Sequence, residues 1–78
     1  MSNKLANKYN RIYLAIGNNV KRYRTEKGWT QQQLSEKCDG VTRAKISKIE
    51  NAYEDYMMFT LLEVCSSLEI SLEEIAKK

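Results

Sequence analysis

The sequence predicts an all-α fold of five helices around one core, on three observations. Apolar residues recur at spacings of three or four along most of the chain. Nowhere do β-branched and polar residues alternate as they would in a strand, and there is no proline. Thr30, Thr42 and Ser71, all good N-cap types, each stand just before an apolar-periodic stretch. Seventy-eight residues make one domain, 1–78, with a modest core.

The first helix is expected from Leu5 to Lys27, on the stripe Ile12, Ile16, Val20 and Tyr23, with Tyr9 and Tyr13 extending it toward the N-terminus. Gly17 interrupts that stripe, marking either a break or a close contact. Gly28 ends the helix as a C′ residue, with Lys27 in its last turn. Thr30, with Gln33 three residues on, forms a capping box for a second helix from Gln31 to about Cys38, which buries Leu34 and Cys38. Asp39-Gly40 is a turn, and Thr42 caps a third helix from Arg43 to about Asn51. After the polar loop "AYEDY" a fourth helix covers Met57 to Leu68, with Leu61, Val64, Cys65 and Leu68 on one side. Ser71 caps the last helix, where Glu74 sets up a second capping box and Leu72 and Ile75 complete the core.

Several function classes are excluded. No run approaches the ~18 apolar residues of a membrane span, and "MSNKLANKYN" lacks a signal peptide's apolar centre. A cytoplasmic protein is expected. Cys38 and Cys65 are not in CxxC spacing and there is no histidine, so neither a metal site nor the commonest general base is available. Both thiols are expected as small core side chains. No catalytic residue, cofactor or small-molecule ligand is expected.

Charge is unevenly distributed. Residues 1–28 carry seven Lys/Arg against one Glu, whereas residues 52–78 carry two Lys against six Asp/Glu. Such a split sets one basic face toward an anion, although a charged face is often simply a solvated one. The third helix sharpens the point. At ~100° per residue, Ile46 and Ile49 define its inward side. Ala44 lies opposite, flanked by Ser47 and Lys48, with Arg43 and Lys45 farther round. A face small at its centre and basic at its sides fits the floor of a DNA major groove. It equally fits a wet helix surface, and the helical wheel by itself does not choose.

In order and spacing, Thr30-Gln31, Leu34, Gly40-Val41-Thr42, Ile46-Ser47 and Ile49-Glu50-Asn51 resemble the helix-turn-helix of the phage-repressor and Cro family, also called Xre-like. The likeness runs from about Ile16 to Ile75, including "RTEKGWTQ" and "LEISLEEI", and places the helix-turn-helix at 31–51. It implies a compact lambda-repressor-like domain that works as a homodimeric transcription regulator on double-stranded DNA. In the family pattern Arg43, Ala44 and Lys48 fall where base edges are read, and Ser47, flanking Ala44 on the wheel, is a further base-reading candidate. Gln31, Thr42 and Asn51 fall where phosphates are met, the first two aided by helix N-termini, while Lys45 is either a phosphate contact or a solvated side chain. Arg24 and Glu50 match a structural ion pair, and Trp29 a core position. Tyr53 and Tyr56 are further phosphate candidates, and Met57, Met58 and Phe59 fit core plus dimer surface. The chain's size resembles that of restriction–modification controller proteins. A phage repressor, or an antitoxin that represses its own operon, shares these features, and so does a module that binds a partner protein.

Three departures from the pattern are visible. "CDGV" is one residue longer than the usual turn, so Asp39 is expected to bulge. Ala52 stands where glycine often follows Asn51. Glu54 and Asp55 replace basic loop contacts. Residues 1–15 are an N-terminal extension of the common core.

Overall fold

The computed structural model describes residues 6–53 and 56–78. Among them are five helices and no strand: α1 (Ala6–Glu26), α2 (Gln31–Glu36), α3 (Arg43–Glu50), α4 (Met58–Leu68) and α5 (Leu72–Ile75). Leu5, expected to begin α1, and the loop carboxylates Glu54 and Asp55 lie outside the described residues. At ~1.5 Å per residue the 21 residues of α1 reach about 31 Å. That matches the longest extent of the fold, 31 × 22 × 19 Å.

One core holds the helices together. Val20 of α1, Leu34 of α2, Ile46 and Ile49 of α3, Val64 of α4 and Ile75 of α5 are fully buried. Ile16, Val41, Leu61, Leu68, Cys38 and Cys65 fill the space between them. Both cysteines are free thiols, and burial pushes both pKa values up. Gly17 marks a close contact and not a break. α1 runs through it unbroken, and a Cβ there would stand 2.6 Å from the Ile49 carbonyl oxygen and 3.0 Å from that of Glu50. The absent side chain lets α1 lie directly on the last turn of α3.

Three helices end alike. After α1, the Trp29 N–H reaches back to the Arg24 carbonyl while Gly28 bonds that of Thr25. After α3, Tyr53 reaches Lys48 and Ala52 reaches Ile49; after α4, Ile70 reaches Cys65 and Glu69 reaches Ser66. Each is a Schellman motif, which needs a left-handed residue at C′. Gly28 adopts it freely at φ 77°, but Ala52 (φ 63°) and Glu69 (φ 60°) carry a Cβ there. The left-handed cap costs such residues about 1–2 kcal/mol. Ala52→Gly is therefore expected to raise stability by about 0.5–1 kcal/mol, the relief being offset by glycine's looser unfolded chain. An unchanged or lowered urea midpoint would show that the turn carries no strain.

Several expectations need correction. α2 ends at Glu36 and not near Cys38, because the Lys37 and Cys38 N–H groups turn to the carbonyls of Leu34 and Ser35 three residues back. Ser71 caps α5 by accepting from the Glu74 N–H, but the Glu74 carboxylate does not return to close a box. It accepts instead from the Tyr23 hydroxyl at 2.9 Å, tying α5 to α1, and this bond first and Lys77 next hold its pKa below the ordinary value. Leu72 is 40% exposed, since the single turn of α5 sends only Ile75 inward. Met57, Met58 and Phe59 all lie on the surface and none joins the core.

Candidate nucleic-acid interface

α2 and α3 form a two-helix corner whose ends are fixed by local chemistry. Thr30 closes a full capping box with Gln33: its hydroxyl accepts the Gln33 N–H at 3.0 Å, and its own N–H donates to the Gln33 side chain at 2.8 Å. Thr42 accepts the Lys45 N–H at 3.2 Å at the start of α3. The extra residue between the helices is held by α4. The Asp39 N–H donates to Glu63 Oε1 at 2.9 Å, and the Ser67 hydroxyl donates to the Lys37 carbonyl at 2.9 Å. Cys38 Sγ lies 3.3 Å from that same hydroxyl. Glu63 and Ser67, four apart on one helix face, thus anchor the turn that aims α3.

Arg24 and Glu50 join the corner to α1. Arg24 Nε donates to Glu50 Oε2 at 2.7 Å and Nη2 to Oε1 at 3.0 Å, a two-pronged pair with side chains only 10% and 4% exposed. Nη1 of the same guanidinium donates to the Trp29 carbonyl at 2.7 Å. Hydrogen bonding to Glu50 raises the Arg24 pKa, against the opposing pull of burial. Three chain segments (the end of α1, the approach to α2 and the end of α3) therefore meet on one cation.

The residues expected to touch DNA fall out as follows. Arg43, Ala44, Lys45 and Lys48 are all exposed, with Ala44 and Lys48 opposite buried Ile46 and Ile49 and Arg43 and Lys45 at the sides of α3. Ser47 is half-buried, because Asn51 folds over it: Asn51 Nδ2 donates to the Ser47 carbonyl at 2.9 Å and to its hydroxyl at 3.2 Å. With both amide hydrogens so used, Asn51 must rotate outward to meet a phosphate. Gln31 stands at the first turn of α2, but its side-chain amide donates to Glu50 Oε1 at 3.0 Å, which makes it part of the Arg24 network. Lys45 Nζ comes within 3.5 Å of the Gly40 carbonyl, and Thr42 is exposed.

Tyr56, a candidate phosphate contact by its position in the sequence, is turned away from any such contact. Its ring packs edge-on against Tyr13, with centroids 5.8 Å apart, and its hydroxyl is buried without a partner among the described residues. Burial also pushes its pKa up. Tyr53 remains exposed. Trp29 packs against the core, with the Lys37 and Lys27 ammonium groups 4.7 Å and 5.3 Å from its ring centroid. Beyond the reach of sequence reasoning were the Glu63–Ser67 anchor and Asn19. The amide of Asn19 donates to the Ile75 and Lys77 carbonyls at 2.8 Å each, holding the end of α5. Asn19 sits beside Val20 on a helix interior, and only that unusual place for a buried amide signalled it.

Among the described residues no helix is long and apolar enough to cross a membrane, and no cluster of His, Cys, Asp or Glu is arranged to hold a metal ion.

A family profile described as Helix-turn-helix matches residues 20–75. Antitoxin HipB of Escherichia coli strain K12 is 35% identical over 57 residues, covering 73% of this chain and 64% of that protein. Antitoxin HipB of Escherichia coli O6:H1 (strain CFT073) is likewise 35% identical over 57 residues, 73% of this chain and 60% of its own. The chain thus spans less than two thirds of the length of these relatives. The profile runs from Val20 in the middle of α1 to Ile75 at the end of α5, so it takes in the whole capped corner and the core around it, and the chain belongs to the Xre-like helix-turn-helix family of DNA-binding transcription regulators.

Proposed function

We propose that this protein is a homodimer that reads a near-palindromic operator, each recognition helix α3 entering a major groove about 34 Å from the other. The observation that carries the reading is the outward face of α3, where exposed Arg43 and Lys48 stand either side of a small centre at Ala44, above a fully buried Ile46–Ile49 side. In this reading Arg43 and Lys48 meet base edges with Ser47 between them, and Ala44 leaves room for a thymine methyl. Thr42, Lys45 and Gln31 meet phosphates beside two helix N-termini, joined by Asn51 once it rotates. Phosphate contacts supply much of the affinity, which falls steeply with salt. No chemistry is performed, and no cofactor or small ligand takes part.

The test is selection of bound sequences from a random duplex pool near physiological salt, repeated with Arg43→Ala. A palindromic motif is expected. Arg43→Ala is expected to cost about 1–3 kcal/mol per half-site and to broaden one position in each. A pool that emerges unenriched would sink the proposal.

A second reading has one observation in its favour: both relatives above are named antitoxins. In it the domain represses its own operon and also holds a partner protein. DNA binding that ignores Arg43 and Lys48, or is absent even at low salt, would favour a protein-binding role. The restriction–modification controller reading rests on chain length alone.

A further inference from the structure

The apolar stripe of α1 is longer than the core that covers it. Ile16 and Val20 are buried, but the same stripe continues toward the N-terminus through Tyr13, Ile12 and Tyr9, of which Ile12 is 38% and Tyr9 54% exposed. With Tyr56, Met58 and Leu61 these residues line an open groove of about 360 Å³ between the first half of α1 and the start of α4. Beyond the groove, Leu62 and Phe59 lie about 60° apart around α4 on the side turned away from its buried residues, and Met58 joins them to the groove. All three are about half exposed. Groove and helix face make one continuous surface, on the order of 600 Å² of apolar area. That is at the top of what a lone domain shows and near the ~600 Å² per partner of the smaller stable interfaces.

We infer that this α1–α4 surface, and not α5, is where a second copy of the chain docks. The inference rests on the homodimer reading above and names its interface. Two further features favour a second copy over a different protein. First, the surface has edges of opposite sign. Lys8, its ammonium 5.6 Å from the Tyr9 ring centroid, marks its α1 side, while Glu63, with Asp39 held to it, flanks the far side of α4. A two-fold axis running along α4 lays the basic edge of each copy over the acidic edge of the other, so one surface is complementary to itself. Secondly, only residues 51–57 separate the end of α3 from the start of α4. None of Arg43, Ala44 and Lys48 lines this surface, so a copy docked on it leaves the outward face of α3 open. α5 offers much less, since it is a single turn whose exposed large apolar residue is Leu72.

Sedimentation equilibrium decides the matter, on the wild-type chain, Phe59→Glu, Leu62→Glu and Leu72→Glu. All three positions are exposed, so the variants are expected to fold, and circular dichroism checks this. A wild-type dimer whose dissociation constant rises roughly thirty-fold or more with Phe59→Glu and Leu62→Glu, but not with Leu72→Glu, supports the interface. A dimer broken by Leu72→Glu and indifferent to the other two overturns it while leaving the homodimer reading intact. A wild-type chain that stays monomeric at about 1 mM, well above a weak dimer's dissociation constant, overturns both.

Discussion

Glu50→Ala is expected to lower the unfolding free energy by about 3–5 kcal/mol. The loss does not measure the attraction of the pair, which is largely offset by the cost of taking both charges out of water. It measures what is left behind: the Arg24 guanidinium, its side chain 10% exposed, keeping only the Trp29 carbonyl as a partner. Gln31 loses its acceptor as well. A domain of this size is stable by roughly 4–12 kcal/mol, so the variant is expected to be partly unfolded at growth temperature. Removing both charges with Arg24→Met and Glu50→Met together is expected to restore most of the loss, because no uncompensated ion then remains. Urea unfolding of the singles and the double decides it: a single-variant loss below about 1 kcal/mol means the pair is solvated and structurally idle.

Gly17→Ala is expected to cost about 2–3 kcal/mol, although alanine is the better helix former by up to ~1 kcal/mol. The two effects oppose each other, and packing decides. The new methyl would stand 2.6 Å from the Ile49 carbonyl oxygen, with backbone and not a flexible side chain in its way. α1 and α3 must then separate, which also shifts the recognition helix relative to the rest of the corner. DNA affinity is therefore expected to fall further than the unfolded fraction accounts for. Stabilisation by Gly17→Ala would mean that the helices lie farther apart than the structure places them.

Most of the architecture was legible because its determinants are local. Threonine hydroxyls at 30 and 42 cap whatever follows them, and period-3.6 stripes bury whichever side is apolar, so the helices and the outward face of α3 follow from neighbours a few residues apart. The misplaced residues fail for the opposite reason. Leu72 and Met58 have core chemistry but no element above them, and Tyr56 lies beside the exit from α3 in sequence yet turns its hydroxyl inward under Tyr13.

An all-α chain with a capped two-helix corner, and a small, basic face on the second of those helices, can be read directly from the residues in order. Local hydrogen bonding and side-chain periodicity suffice for that. It takes the packed fold to make Gly17 a contact, to turn Glu74 to Tyr23 in place of its own cap, and to bring Glu63 and Ser67 of α4 to the turn before α3. Those outcomes depend on which atoms arrive beside a residue from 24 to 51 positions away. A buried donor or acceptor takes whatever partner packing brings to it, and no local pattern encodes that partner.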